Sequence, residues 1–135
     1  MATRNEAIKS RLIDQVAAQA RKVAPPAEAD MVEAFARQFY ANVAPEDVIA
    51  TPADDLAGSV LALWRLLRTR TPGKPTINVY NPRLDRHGWM SPHTAIEIVN
   101  DDMPFLVDSV TAELNRQDLT VHLVIHPIVE VVRDA

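Results

Sequence analysis

Four carboxylates crowd one short stretch of the chain. Asp101, Asp102, Asp108 and Glu113 surround the point where an apolar run ends and Met103-Pro104-Phe105 begins. With Asn100 and Ser109 nearby, they offer the chemistry of a polar or cation-binding turn. The same residues also have a structural use, because Asp101 or Asp102 can accept the unpaired N–H groups of a helix start. That structural use is the preferred reading. The stretch Asn100, Asp101, Asp102, Met103, Pro104, Phe105, Asp108 and Ser109 is therefore carried forward as a ligand or interface turn, not as a catalytic centre.

The other chemistry-bearing residues do not form a set. His122 and His126 share a face of an extended segment but stand roughly 13 Å apart at about 3.3 Å per residue, too far for one metal. His87 and His93 flank a turn and could meet only through the fold. No metal site is expected. Ser109 lies inside a helical stretch with no nucleophile elbow around it, and Gly73-Lys74 lacks the glycine spacing of a phosphate loop. No catalytic and no cofactor-binding residue is expected on this chain.

Arg65, Arg68, Arg70, Lys74, Arg83 and Arg86 make residues 65–90 basic, with Trp64, Tyr80 and Trp89 as candidate stacking surfaces for nucleic acid. From Ser91 onward the balance reverses, with eight carboxylates against Arg116 and Arg133. Such asymmetry suits two complementary faces, within the chain or between subunits. A net charge of −4 and the core position of Trp64 argue against nucleic acid as the partner.

These residues need elements to position them. At 135 residues with 47% hydrophobic content, the chain can bury one domain-sized core. It has no cysteine, which removes disulfides and thiolate chemistry and suits a reducing compartment. No apolar run approaches the ~20 residues of a membrane span, and charges interrupt the N-terminus where a signal core would lie. A cytoplasmic protein with no membrane partner is the expectation.

Helical spacing dominates the first half. Ile8, Leu12, Ile13, Val16, Ala17, Ala20 and Val23 predict a helix over 4–23, stopped by Pro25-Pro26. A second helix, about 27–42, carries Met31, Val32, Phe35, Phe39 and Tyr40. Pro45-Glu46-Asp47 opens a short turn or helix. A third long helix follows Thr51 as N-cap and Pro52 at its first position, with Leu56, Val60, Leu63, Trp64 and Leu67 on its stripe.

After the loop Thr71 to Pro75 the period changes to two. Ile77 and Val79 mark a short strand closed by Asn81-Pro82, and residues 83–92 read as a polar turn with Gly88 and an anchoring Trp89. Thr94 to Asn100 reads as a central strand covered on both sides. A helix begins at Pro104, with Leu106, Val110 and Leu114 buried and Phe105, Val107 and Ala112 beside them. Asp118 stands where it would end in left-handed geometry. A last strand, Thr120 to Val132, is bulged or at an edge because of Pro127.

From Ile98 through Asp101-Asp102-Met103-Pro104-Phe105-Leu106-Val107-Asp108-Ser109-Val110, and again over Val121 to Ile128, the chain resembles a known family. Weaker agreement covers Val79-Tyr80-Asn81-Pro82, Gly88-Trp89 and Trp64. The family is the N-terminal region of the large bacterial NAD-specific glutamate dehydrogenases, whose subunits are very long. The resemblance implies a parent enzyme converting L-glutamate, NAD and water to 2-oxoglutarate, ammonium and NADH. Its catalytic lysine and nucleotide domain would lie downstream. This chain would then be a non-catalytic regulatory or assembly piece, with the rest of the polypeptide and further subunits as partners.

The same stretch is similar to the first half of an ACT-type regulatory module, β-α-β-β-α-β, with D-x-P-G-L at its first strand-to-helix turn. Here the run is Asp102-Met103-Pro104-Phe105-Leu106. Phenylalanine replaces the glycine, and its ring is expected to fill the space a ligand would use or to pack inward. A structural or interface role is thus preferred over a stand-alone amino-acid sensor, which is the alternative. The expected class is α+β: a helical lead-in over 1–72, then a partial ACT-like (ferredoxin-like) β-α-β portion over 75–135 with an antiparallel or mixed sheet. Exposed strand edges in such a half-module predict self-association through 120–132 or 94–100.

Overall fold

The computed structural model describes residues 3–131. One compact unit runs through Asp101 and a second begins at Asp102. The fold class is α+β, a helical N-terminal segment followed by a β-containing, ACT-like portion.

Helix α1 spans Arg4–Val23, the range that its apolar spacing predicts. Its start is a capping box: Glu6 N–H donates to Thr3 Oγ1 at 3.1 Å and Thr3 N–H donates to Glu6 Oε2 at 2.9 Å. Two prolines end it, and Pro26 opens a 3-10 turn, Pro26–Glu28, that leads directly into α2, Ala29–Tyr40. After α3, Pro45–Val48, helix α4 runs Ala53–Thr69. Thr51 is not its cap. Pro52 holds that position in extended geometry, and no side chain bonds the first turn. Asp54 and Asp55 do occupy that turn, where the helix dipole favours them.

The core lies where α1, α2 and α4 meet. Ala17 and Ala20 let α1 approach closely, and Val16, Val32, Ala36, Tyr40, Val60 and Val48 of α3 are fully or almost fully buried with them. Trp64 packs its ring against Phe35, with centroids 5.5 Å apart. Its Nε1–H is buried without an acceptor among the described residues. Tyr40 solves the same problem differently: its hydroxyl donates to the Leu56 carbonyl at 3.2 Å and meets Ser59 Oγ at 2.7 Å. Lys9 reaches across from α1 to the carbonyls of Ala41 and Val43, at 3.1 and 2.6 Å, where the end of α2 favours a cation. Val23 and Met31, expected on buried stripes, are exposed.

Strands β1, Thr76–Tyr80, and β2, Ala95–Val99, pair antiparallel, with Ile77 opposite Ile98, Asn78 opposite Glu97 and Val79 opposite Ile96. Between them α5, Leu84–His87, ends at Gly88 in left-handed geometry, φ 79°. The expectation that β2 is covered on both faces is corrected. Its inner face meets α4, and Val99 is buried. Ile77, Val79 and Ile96 on the other face stay exposed, because a two-stranded ribbon with one helix beside it has only one sheltered side.

In the second unit, α6 spans Leu106–Arg116, two residues later than the sequence predicts. Leu106, Val107, Val110 and Leu114 are half-buried along one stripe, while Phe105 and Ala112 are exposed. Asp118 is left-handed, φ 59°, as expected. It completes a Schellman ending in which Leu119 N–H reaches the Leu114 carbonyl and Asp118 N–H the Asn115 carbonyl, both at 3.0 Å. The predicted last strand is not formed over 120–131; Val132 lies outside the described residues. Half-buried Ile125, Pro127 and Val129 alternate with exposed His126, Ile128 and Glu130. The two-residue period is therefore present although no strand ladder is formed there among the described residues.

Candidate functional site

The turn at 100–109 divides between the two units. In the first, Asn100 is half-buried directly after β2, and the Asp101 carboxylate receives Arg70 Nη2 at 2.5 Å. Arg70 is 8% exposed whereas Asp101 is 64% exposed, so the cation is the desolvated member. Arg70 Nε also donates to the Lys74 carbonyl at 3.1 Å. Asp101 is thus an ion-pair partner and not a helix cap.

In the second unit Asp102, Met103, Pro104 and Phe105 are all exposed, as are Asp108 and Ser109 on α6. Asp102 does not cap α6 either. Phe105 occupies the N-cap position with φ 63°, and no side chain bonds the first turn. The expected inward or space-filling ring is also corrected, because Phe105 is 76% exposed. The backbone at this position keeps the left-handed form that suits glycine, although the residue carries a Cβ. Ser109 N–H donates to the Phe105 carbonyl at 2.9 Å, an ordinary helical bond.

Beneath the ribbon lies a polar cluster that residue spacing alone does not reveal. Tyr80 Oη donates to Glu97 Oε2 at 2.9 Å, Trp89 Nε1 donates to Tyr80 Oη at 3.2 Å, and Asn78 Nδ2 reaches Glu97 Oε1 at 3.3 Å. The His87 ring lies 4.5 Å from that of Tyr80. Burial, reinforced by the Glu97 carboxylate that accepts its proton, pushes the Tyr80 phenol above its ordinary range. One signal was available: Glu97 is the lone charge in Ala95-Ile96-Glu97-Ile98-Val99, and a carboxylate in such a run requires partners. Which partners depends on a diagonal across the ribbon that only the register supplies.

Two clefts adjoin this cluster. One, of about 260 Å³, lies among α1, α4 and α5 and is lined by Gln19, Asp54, Gly58 and Leu84. The other, of about 330 Å³, lies between α4 and the inner ribbon face and is lined by Thr69, Tyr80, Arg86 and Glu97. Arg65 and His87 line both. Among the described residues no group of three or more His, Cys, Asp or Glu side chains is placed to hold a metal ion. No helix among them is long and apolar enough to cross a membrane.

Residues 35–135 match the family described as glutamate dehydrogenase, ACT1 domain, and the chain belongs to that family. Among curated proteins it is 45% identical over 103 residues to an NAD-specific glutamate dehydrogenase of Halomonas elongata. It is 40% identical over 104 residues to one of Pseudomonas aeruginosa. These alignments cover 76% and 77% of this chain but 6% of each relative. No solved structure matches.

Proposed function

We propose that this chain is a non-catalytic regulatory and assembly region of a long-subunit NAD-dependent glutamate dehydrogenase. The observation that carries the reading is its match to an ACT1 domain at only 6% of the length of its relatives. In this reading the parent enzyme oxidises L-glutamate with NAD in the cytoplasm, and the chemistry resides on other parts of the polypeptide. The partners are that remaining polypeptide and further copies of the subunit. Among the described residues β2 pairs with β1 alone, and its other edge supports the second partner, since such an edge is a template for another chain. The exposed turn from Asp102 to Ser109 is the face offered to a partner or to a small amino-acid effector.

The test compares the full-length polypeptide with a version lacking residues 35–135. Deletion is expected to alter the assembled mass by light scattering and the response to amino-acid effectors, while glutamate-dependent NAD reduction persists. Unchanged mass together with an unchanged effector response would sink the proposal. So would nicotinamide reduction by this 135-residue chain alone. Calorimetric titration of the chain with glutamate and other amino acids separates an assembly role from sensing.

A further inference from the structure

We infer that the cleft between α4 and the inner face of the ribbon binds a small dianion through Arg65, Arg86 and His87. The inference stands apart from the proposed function and does not use the turn at 100–109.

The basic segment is not uniformly neutralised. Arg68 pairs with Glu28, Arg70 with Asp101 and Arg83 with Asp85. Arg65 and Arg86 take no carboxylate among the described residues, and both line the same 330 Å³ cleft. Glu97 lies in that cleft too, yet its oxygens are engaged by Tyr80 and Asn78 and not by either guanidinium. Two fixed positive charges therefore face one concavity without a protein counter-charge bonded to them. Guanidinium forks are suited to carboxylate and phosphate oxygens.

His87 supplies a further donor. Its Nδ1 accepts the Arg83 backbone N–H at 2.9 Å, so the neutral ring carries its proton on Nε2. Tyr80 stacking and the left-handed Gly88 fix where that ring stands. A volume near 330 Å³ is at the small end of the ~300–1,000 Å³ of ligand pockets, which favours a compact molecule. The net charge of −4 disfavours a long polyanion. Dicarboxylates and phosphates share the required chemistry. Glu97 opposes either one and so limits affinity.

The experiment titrates the 15N-labelled chain with inorganic phosphate and, separately, with succinate at constant ionic strength, following the amides of His87 and Gly88. Saturable shifts with either probe support the site, and the probe that binds more tightly identifies its source. Arg65→Gln with Arg86→Gln should weaken binding by roughly tenfold or more. Arg83→Gln, whose guanidinium already has Asp85, should leave it unchanged. Glu97→Gln should tighten it, a response that a merely structural role for Glu97 would not give. Absence of saturable shifts with both probes, or the same affinity in the Arg65/Arg86 double variant, overturns the inference.

Discussion

Gly58 of α4 and Trp89 beyond α5 meet so closely that a Cβ built on the glycine would stand 2.4 Å from the tryptophan Cβ and 2.8 Å from the Gly88 carbonyl oxygen. Glycine in a helix interior ordinarily costs about 1 kcal/mol relative to alanine, so Gly58→Ala would usually stabilise. Here the overlap is with backbone and a first side-chain carbon, which cannot swing away, and overpacking costs about 1–3 kcal/mol. Gly58→Ala is therefore expected to destabilise by about 1–2 kcal/mol in urea unfolding followed by circular dichroism. A gain in midpoint would show that the 84–89 turn does not sit against α4.

Arg70 and Asp101 are desolvated unequally. Removing the carboxylate leaves an Arg70 side chain that is 8% exposed, bonded through Nε to the Lys74 carbonyl and with no charged partner among the described residues for its positive charge. Asp101→Asn should cost about 1–2 kcal/mol: hydrogen bonds to charged groups carry about 1.5–3 kcal/mol, and the 64% exposure of Asp101 lowers that. Arg70→Ala should cost more, because the buried stem loses packing as well. A double-mutant cycle with a coupling near zero would show that the two do not act as a pair.

Both tyrosines of the chain are held above the ordinary phenol range. Burial does this at Tyr40, and burial followed by Glu97 at Tyr80. A phenol raised in the folded state contributes its full stability below the unfolded value near 10 and loses it as pH rises above that. Native protein should show no tyrosinate absorbance at 295 nm around pH 10. The signal should appear at higher pH, together with loss of helical ellipticity. A tyrosinate step near pH 10 in folded protein would contradict the buried positions.

Phe105 combines φ 63° with a ring that is 76% exposed. A residue with a Cβ in that conformation costs about 1–2 kcal/mol, and little burial is lost on removing this ring. Phe105→Gly should raise stability by about 0.5–1 kcal/mol after the extra unfolded-state freedom of glycine is subtracted. Phe105→Ala should not, because it keeps the Cβ. Equal melting temperatures for the two variants would place the strain elsewhere.

The helices were legible because several local signals coincide. The apolar residues of α1 recur at helical spacing and Pro25-Pro26 stops it, so sequence and structure agree on 4–23, while the Thr3–Glu6 capping box emerges only in the structure. Asp118 was legible for the same reason, being short, polar and placed just past an apolar stripe. Thr51 misled by one residue because Pro52 can stand in extended geometry outside the helix as readily as inside its first turn. Residues 120–131 misled more seriously. Alternation there records which side chains face inward, but a strand also needs a neighbour, and no local pattern supplies one. At the candidate turn, family likeness located a glycine position, while only the backbone dihedral showed that Phe105 keeps the glycine's conformation. Whether Asp101 would cap a helix or pair with Arg70 depended on a contact 31 residues distant in sequence.

An isolated pair of strands is at best marginally stable in water. β1 and β2 therefore depend on α4 as the surface that gives them permanence. Order must spread outward from the helices, and the ribbon's amides should surrender their protons to deuterium well before those of α1, α2 and α4.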